Sequence, residues 1–97
     1  MRESTFQSEL KKELQKIFPG CEVWKMDPVI NKQGIPDLII LFKNTWAVLE
    51  VKNSKTAKHR PNQDYYIDKL GKMSFARFIY PENKEEVIRD LQKIFNK

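Results

Sequence analysis

The stretch Gly34-Ile-Pro-Asp-Leu-Ile-Ile-Leu-Phe-Lys-Asn-Thr-Trp-Ala-Val-Leu-Glu-Val-Lys52 decides the fold. It holds two apolar runs, Leu38 to Phe42 and Trp46 to Val51, parted only by Lys43, Asn44 and Thr45. Short apolar runs around a tight polar break read as the two strands of a hairpin. Nearly every position in both runs is apolar, which predicts strands covered on both faces and therefore central in a sheet. Asp37 stands at one end of this pair, and Glu50 and Lys52 stand at the other. Charge is costly to bury unless it is paired or bound to a metal.

Working outward, Phe6, Leu10, Leu14 and Ile17 recur at helical spacing and Pro19-Gly20 stops the run, so residues 3–18 read as a first helix. At about 100° per residue, Glu3 and Gln7 fall on the same stripe as Leu10 and Leu14. Glu3 is then either a charge aimed at the body of the protein or an acidic residue favouring a helix N-terminus. Residues 22–27 alternate as a strand with one covered face, and 28–34 form a polar loop. After the hairpin, residues 53–60 are polar and basic. Pro61 suits a first helical position and Gly71 a position past a helix end, which predicts a helix over 61–70 with Gln63, Tyr66, Ile67 and Leu70 inward. Residues 74–80 read as a fourth strand. Asn83 and Glu86 have the spacing of a capping box before a last helix over 84–95. The expected order is α-β-β-β-α-β-α: one α/β domain over residues 1–97, with a mixed central sheet flanked by helices.

Bulk properties narrow the class. The chain has 97 residues, 40% hydrophobic and 32% charged, which is the composition of a folded globular domain with a modest core. No apolar run has membrane-spanning length and no signal-peptide pattern opens the chain. The single Cys21 excludes an internal disulfide and fits a reducing, cytoplasmic setting. It reads as small packing rather than a nucleophile. A net charge of +5 points mildly to a polyanionic partner.

Residues two apart on a strand share a face, so Glu50 and Lys52 project together. If the hairpin strands pair antiparallel, the start of one lies beside the end of the other, and Asp37 joins them. Two carboxylates with a nearby backbone carbonyl make a hard oxygen site for Mg²⁺ or Mn²⁺. A lysine beside it orients a water, helps activate it, or stabilises charge on a phosphate. These parts suit phosphodiester hydrolysis. The bland alternative is an edge hairpin with Glu50 and Lys52 facing water, and the continuous apolar runs around them argue against it. Lys55, Lys58 and Arg60 form a basic run with His59 just after the site, readable as phosphate contacts or as a solvated loop. Lys25, Lys32 and Lys43 would extend that track if the fold gathered them. His59, the one histidine, reads as a loop residue. Trp24, Trp46, Tyr65, Tyr66 and Phe75 read as core or dimer contacts.

Pro36-Asp37, followed by Glu50-Val51-Lys52, resembles the signature of the PD-(D/E)XK nuclease superfamily, whose restriction-endonuclease-like core has a similar α-β-β-β-α-β order. With Glu3-Ser-Thr-Phe-Gln7 and Arg60-Pro-Asn-Gln63 added, the chain looks most like the small stand-alone VRR-NUC nucleases found in phages. The resemblance implies a Mg²⁺- or Mn²⁺-dependent DNA endonuclease, homodimeric, that cuts branched DNA such as Holliday junctions. It further implies Asp37, Glu50, the Val51 carbonyl and Glu3 as metal ligands, Lys52 as catalytic, and Gln63 as a glutamine near the active site. The segment Lys58-His-Arg60-Pro departs from the family pattern. A non-catalytic nucleic-acid-binding module, or a nicking or restriction-type nuclease on linear duplex, is the alternative.

Overall fold

A computed structural model of the chain describes residues 1–27 and 33–96. Among these, helix α1 (Glu3–Ile17) is followed by strands β1 (Glu22–Lys25), β2 (Leu38–Phe42) and β3 (Thr45–Val51), helix α2 (Gln63–Met73), strand β4 (Phe75–Ile79) and helix α3 (Lys84–Phe95). The strands form one mixed sheet in the order β1-β2-β3-β4. β1, β2 and β3 run antiparallel, and β4 pairs parallel to β3. A parallel neighbour cannot be reached by a hairpin; α2 is the crossover that reaches it. The expected polar loop over 28–34 lies largely outside the described residues.

The hairpin expectation holds closely. Lys43 and Asn44 make a two-residue turn, with Lys43 in the left-handed region at φ 56. β2 and β3 occupy the middle of the sheet. Ala47, Leu49 and Val51 face one side and join Phe6, Leu10 and Leu14 of α1 and Val87, Leu91 and Phe95 of α3 in a single buried cluster. Phe18, Phe42 and Phe95 close its far end with ring centroids 5.0 to 5.5 Å apart. Cys21 is buried against α1, its thiol directed at the Leu14 carbonyl. The second face carries Val48 and Glu50 beneath α2, which packs on β3 and β4. Only β3 is deeply covered on both sides; β2 alternates buried and half-buried.

Three local expectations need correction. α2 begins at Gln63 rather than Pro61, because Asn62 takes a left-handed φ of 70 and breaks the helix before it. It also runs through Gly71 to Met73. Glycine costs about 1 kcal/mol in a helix interior, and packing against β4 outweighs that here. Asn83 does not cap α3. Its side chain instead accepts from the Tyr80 N–H at 2.8 Å and donates to the Phe78 carbonyl at 3.1 Å, locking the turn out of β4. Glu86 is drawn to Arg77 at 3.4 Å. Trp24 and Tyr65, read as core or dimer contacts, are more than half exposed, which places them outside the core of this chain and does not bear on a dimer contact. No helix among the described residues is long and apolar enough to cross a membrane.

Candidate active site

Pro36 is fully buried and delivers Asp37 to the start of β2. The antiparallel register Leu38↔Leu49 sets Asp37 opposite Glu50. Asp37 ties three strands together at this edge. Its backbone carbonyl accepts from the Met26 N–H at 2.7 Å, and its Oδ2 accepts from the Val51 N–H at 3.0 Å. Val51 is itself fully buried at the end of β3. The charged cluster expected at the open end of the hairpin is thus assembled by strand pairing and by one side-chain hydrogen bond.

Glu50 and Lys52 are 3% and 5% exposed, which removes the edge-hairpin alternative. Neither is left to burial alone. Glu50 Oε2 accepts from Gln63 Nε2 at 2.8 Å, across from the first turn of α2. Lys52 Nζ donates to the Lys58 carbonyl at 3.1 Å and lies 3.9 Å from Glu50 Oε2. Gln63, itself 5% exposed, uses its second polar atom as well: Oε1 accepts from the Arg60 N–H at 2.8 Å. The glutamine therefore fixes both the buried carboxylate and the loop that leads into α2.

The electrostatics are unbalanced. Burial, reinforced by the neighbouring Asp37 charge, pushes Glu50 up to about 8, against the opposing pull of Lys52. The closeness of the Asp37 carboxyl and the negative charge of Glu3 act in the same upward direction. One oxygen, Glu50 Oε1, is buried without a hydrogen-bond donor among the described residues. An unsatisfied buried carboxylate oxygen is costly, and a proton or a cation between the two carboxylates would relieve it.

A cleft of about 280 Å³ opens over this cluster, with Glu3, Asp37, Glu50, Lys52, Arg60 and Gln63 in its wall. Glu3, the first residue of α1, is solvent-exposed and stands at the rim. Among the described residues, no group of three His, Cys, Asp or Glu side chains is gathered closely enough to hold a metal by itself. The donor set is instead an Asp–Glu pair with an orphaned oxygen. That fits an ion such as Mg²⁺, which keeps several waters and uses one or two carboxylates, and it does not fit a closed structural site.

Of the basic residues expected to contact phosphate, Arg60 lines the cleft. Lys55 and Lys58 are exposed but lie in neither cleft wall; Lys58 serves through its carbonyl. Lys43 sits in the turn at the opposite end of the hairpin, and Lys32 lies outside the described residues. His59 is more than a loop residue: its ring stacks on Phe78 with centroids 4.0 Å apart and bonds Asp64 at 2.8 Å.

Sequence reasoning missed the close approach at Gly34, and it named Lys25 as an extension of the basic track without being able to place it. Gly34, at φ +94, lies against Asn62, so that a Cβ on it would come within 2.6 Å of the Asn62 Cβ. Lys25 is paired with Leu38, one residue from Asp37, a position that only the β1–β2 register reveals. The molecule is a mixed α/β domain with a buried carboxylate–lysine cluster at the end of its two central strands. Compared with known proteins, the chain matches no family model and no curated protein.

Proposed function

We propose that this chain is a metal-dependent DNA endonuclease of the PD-(D/E)XK type, with a restriction-endonuclease-like core similar to that of the small VRR-NUC nucleases. The observation that carries the reading is the buried pair Glu50 and Lys52, with Asp37 set opposite Glu50 and one Glu50 oxygen unsatisfied. A domain that only needed stability gains little from such a cluster, since buried ion pairs are often neutral or unfavourable compared with apolar packing. A binding module that merely kept the fold has no use for it.

Asp37 and Glu50 would hold Mg²⁺ or Mn²⁺, with Glu3 at the rim in reach of its waters and the Val51 carbonyl as a further oxygen donor. When bound, such an ion polarises a phosphodiester and lowers the pKa of a coordinated water. Lys52 is held by the Lys58 carbonyl beside Glu50, suited to steady an attacking water or the charge developing on a phosphate. Gln63 keeps Glu50 oriented. Branched DNA of the Holliday-junction kind is the proposed substrate, cut by a homodimer, since opposed strands call for two sites related by symmetry.

One gel tests this. A four-way junction and its linear arms are incubated with Mg²⁺, Mn²⁺ or EDTA, with wild type beside Lys52→Ala and Asp37→Ala. The expected result is metal-dependent cleavage of the junction that both substitutions abolish. Equal cutting of the linear arms would move the reading to a nicking or restriction-type enzyme. Binding without cleavage in either metal would sink it in favour of a non-catalytic module.

A further inference from the structure

A second cleft of about 210 Å³ adjoins the first, sharing Glu3, Asp37 and Arg60 with it and adding Ser4, Gln7 and Lys25. The two chambers differ in the charge they present. The first ends on the half-buried Asp37 and the buried Glu50. The second is walled by Lys25 at the end of β1, Arg60 just before α2, and Ser4 and Gln7 from the first turns of α1, together with the shared Glu3, Met26 and Asp37.

What singles out these two basic groups is that, among the described residues, both border this cleft without a carboxylate in ion-pair range. Arg77, Lys84, Lys72 and Lys93 each lie within 4 Å of a carboxylate, and Lys52 beside Glu50. Among the described residues, neither Lys25 nor Arg60 has such a partner, although both border a cleft containing Glu3 and Asp37. Their positions are also fixed by the fold. Lys25 is set by its register against Leu38, and Arg60 by its N–H bond to Gln63 Oε1. Two unpaired cations on rigid backbone, flanked by neutral donors and open to solvent, make a site for an oxyanion.

We infer that this second cleft holds the phosphodiester next to the one being cut, with Lys25 and Arg60 as its cationic contacts and Ser4 and Gln7 as neutral donors. The inference rests on the nuclease reading and extends it. Asp37, on the wall between the chambers, separates the cation end from the anion end. Arg60, common to both, spans neighbouring phosphates. Lys25 is a positioning residue under this assignment: it sets where the strand lies and takes no part in bond breaking.

The test measures DNA binding in EDTA as a function of salt, and single-turnover cleavage in Mn²⁺, for wild type, Lys25→Ala, Lys25→Arg and Lys93→Ala. Lys93 lies on α3 and borders neither cleft. Lys25→Ala should reduce the slope of log affinity against log salt by about 1. It should also raise the half-saturating DNA concentration several-fold while leaving the saturated cleavage rate within about twofold of wild type. Lys25→Arg should restore binding, and Lys93→Ala should match wild type. Replacing the phosphate beside the cut by an uncharged methylphosphonate should erase the penalty of Lys25→Ala. Equal slopes for Lys25→Ala and Lys93→Ala overturn the subsite, even if the protein cuts DNA. A lowered slope for Lys25→Ala in a protein that never cuts keeps Lys25 as a phosphate contact but overturns the nuclease reading, and with it the placement beside a scissile phosphate.

Discussion

Gln63 Nε2 donates to Glu50 Oε2 at 2.8 Å, and this one bond joins the crossover helix to the most deeply buried charge in the sheet. Because Gln63 Oε1 accepts from the Arg60 N–H in turn, the carboxamide orientation is fixed at both ends. Gln63→Ala leaves Glu50 with a second oxygen lacking a neutral donor, at a cost of about 1–3 kcal/mol for a buried polar group left unpaired. Chemical denaturation of the metal-free protein should report a loss of that order. Gln63→Glu should do worse, since it adds a carboxyl beside a carboxylate that already lacks compensation. Equal stability of Gln63→Glu and wild type at neutral pH would contradict the placement.

The pH dependence of stability has a definite sign. Glu50 is pushed up to about 8 in the folded protein, whereas an unfolded glutamate titrates near ~4.3. Between those values the folded protein keeps a proton that the unfolded chain has released, so stability falls as pH rises. This contribution is whole below about pH 4 and is lost as pH climbs through about 8. Metal-free wild type should therefore lose more melting temperature than Glu50→Gln between about pH 5 and pH 8. Parallel curves for the two proteins would remove the argument.

Among the described residues, Lys52 is the one positive charge that pulls Glu50 toward ionisation. Lys52→Met keeps most of the buried methylene packing but removes that pull, so Glu50 should hold its proton more tightly. Cleavage should drop by about 10² or more in a fold that remains intact by circular dichroism. Loss of activity together with loss of fold in Lys52→Met, unlike Lys52→Ala, would point to packing instead.

Gly34 is the fourth position to probe. With φ at +94 and Asn62 atoms 2.6 to 2.9 Å from a built Cβ, Gly34→Ala should destabilise by more than the ~1 kcal/mol of an ordinary strained backbone position. Asn62, at φ 70, should tolerate replacement by glycine. Asn62→Gly should not rescue Gly34→Ala, because the Asn62 carbonyl carbon and oxygen still lie at 2.7 and 2.9 Å. Full rescue in thermal melts would show that the side chain alone was the obstacle.

His59 should govern how firmly the loop before α2 is held. Its ring stacks on Phe78 and bonds Asp64, while Arg60 and Lys58 on either side serve the site through their backbone. His59→Ala should increase amide hydrogen exchange across residues 53–62 and leave β2 and β3 unchanged. Unchanged exchange in that loop would assign its order to the Gln63 and Lys52 bonds alone.

The sequence was most legible where contacts are local. Leu38–Phe42 and Thr45–Val51 lie a two-residue turn apart, so apolar pattern and turn position fix their pairing, and with it the approach of Asp37 to Glu50. Helices α1 and α3 were equally open to reading, because Phe6, Leu10 and Leu14, and Val87, Leu91 and Phe95, repeat at helical spacing and are all buried. Reading weakened at α2. Of its four expected inward residues only Gln63 is fully buried, so its stripe is faint and Pro61 and Gly71 misplaced both ends. Asn83 misled for a related reason: a nearby turn competed for the side chain and won.

What the sequence determined by itself is the central hairpin and the grouping of Asp37, Glu50 and Lys52 at its open end, since a strand period of two and a short turn leave one arrangement. Tertiary structure alone decided the rest of the site. Gln63 meets Glu50 across 13 residues, Arg60 from mid-chain borders the same cleft as Glu3, and Lys25 reaches the adjoining cleft through a register with β2. It also decided the state of Glu50, because desolvation depends on what covers a carboxylate, and α2 is what covers this one. Periodicity specifies which face a residue takes; only the packing of distant elements specifies which charges that face must accommodate.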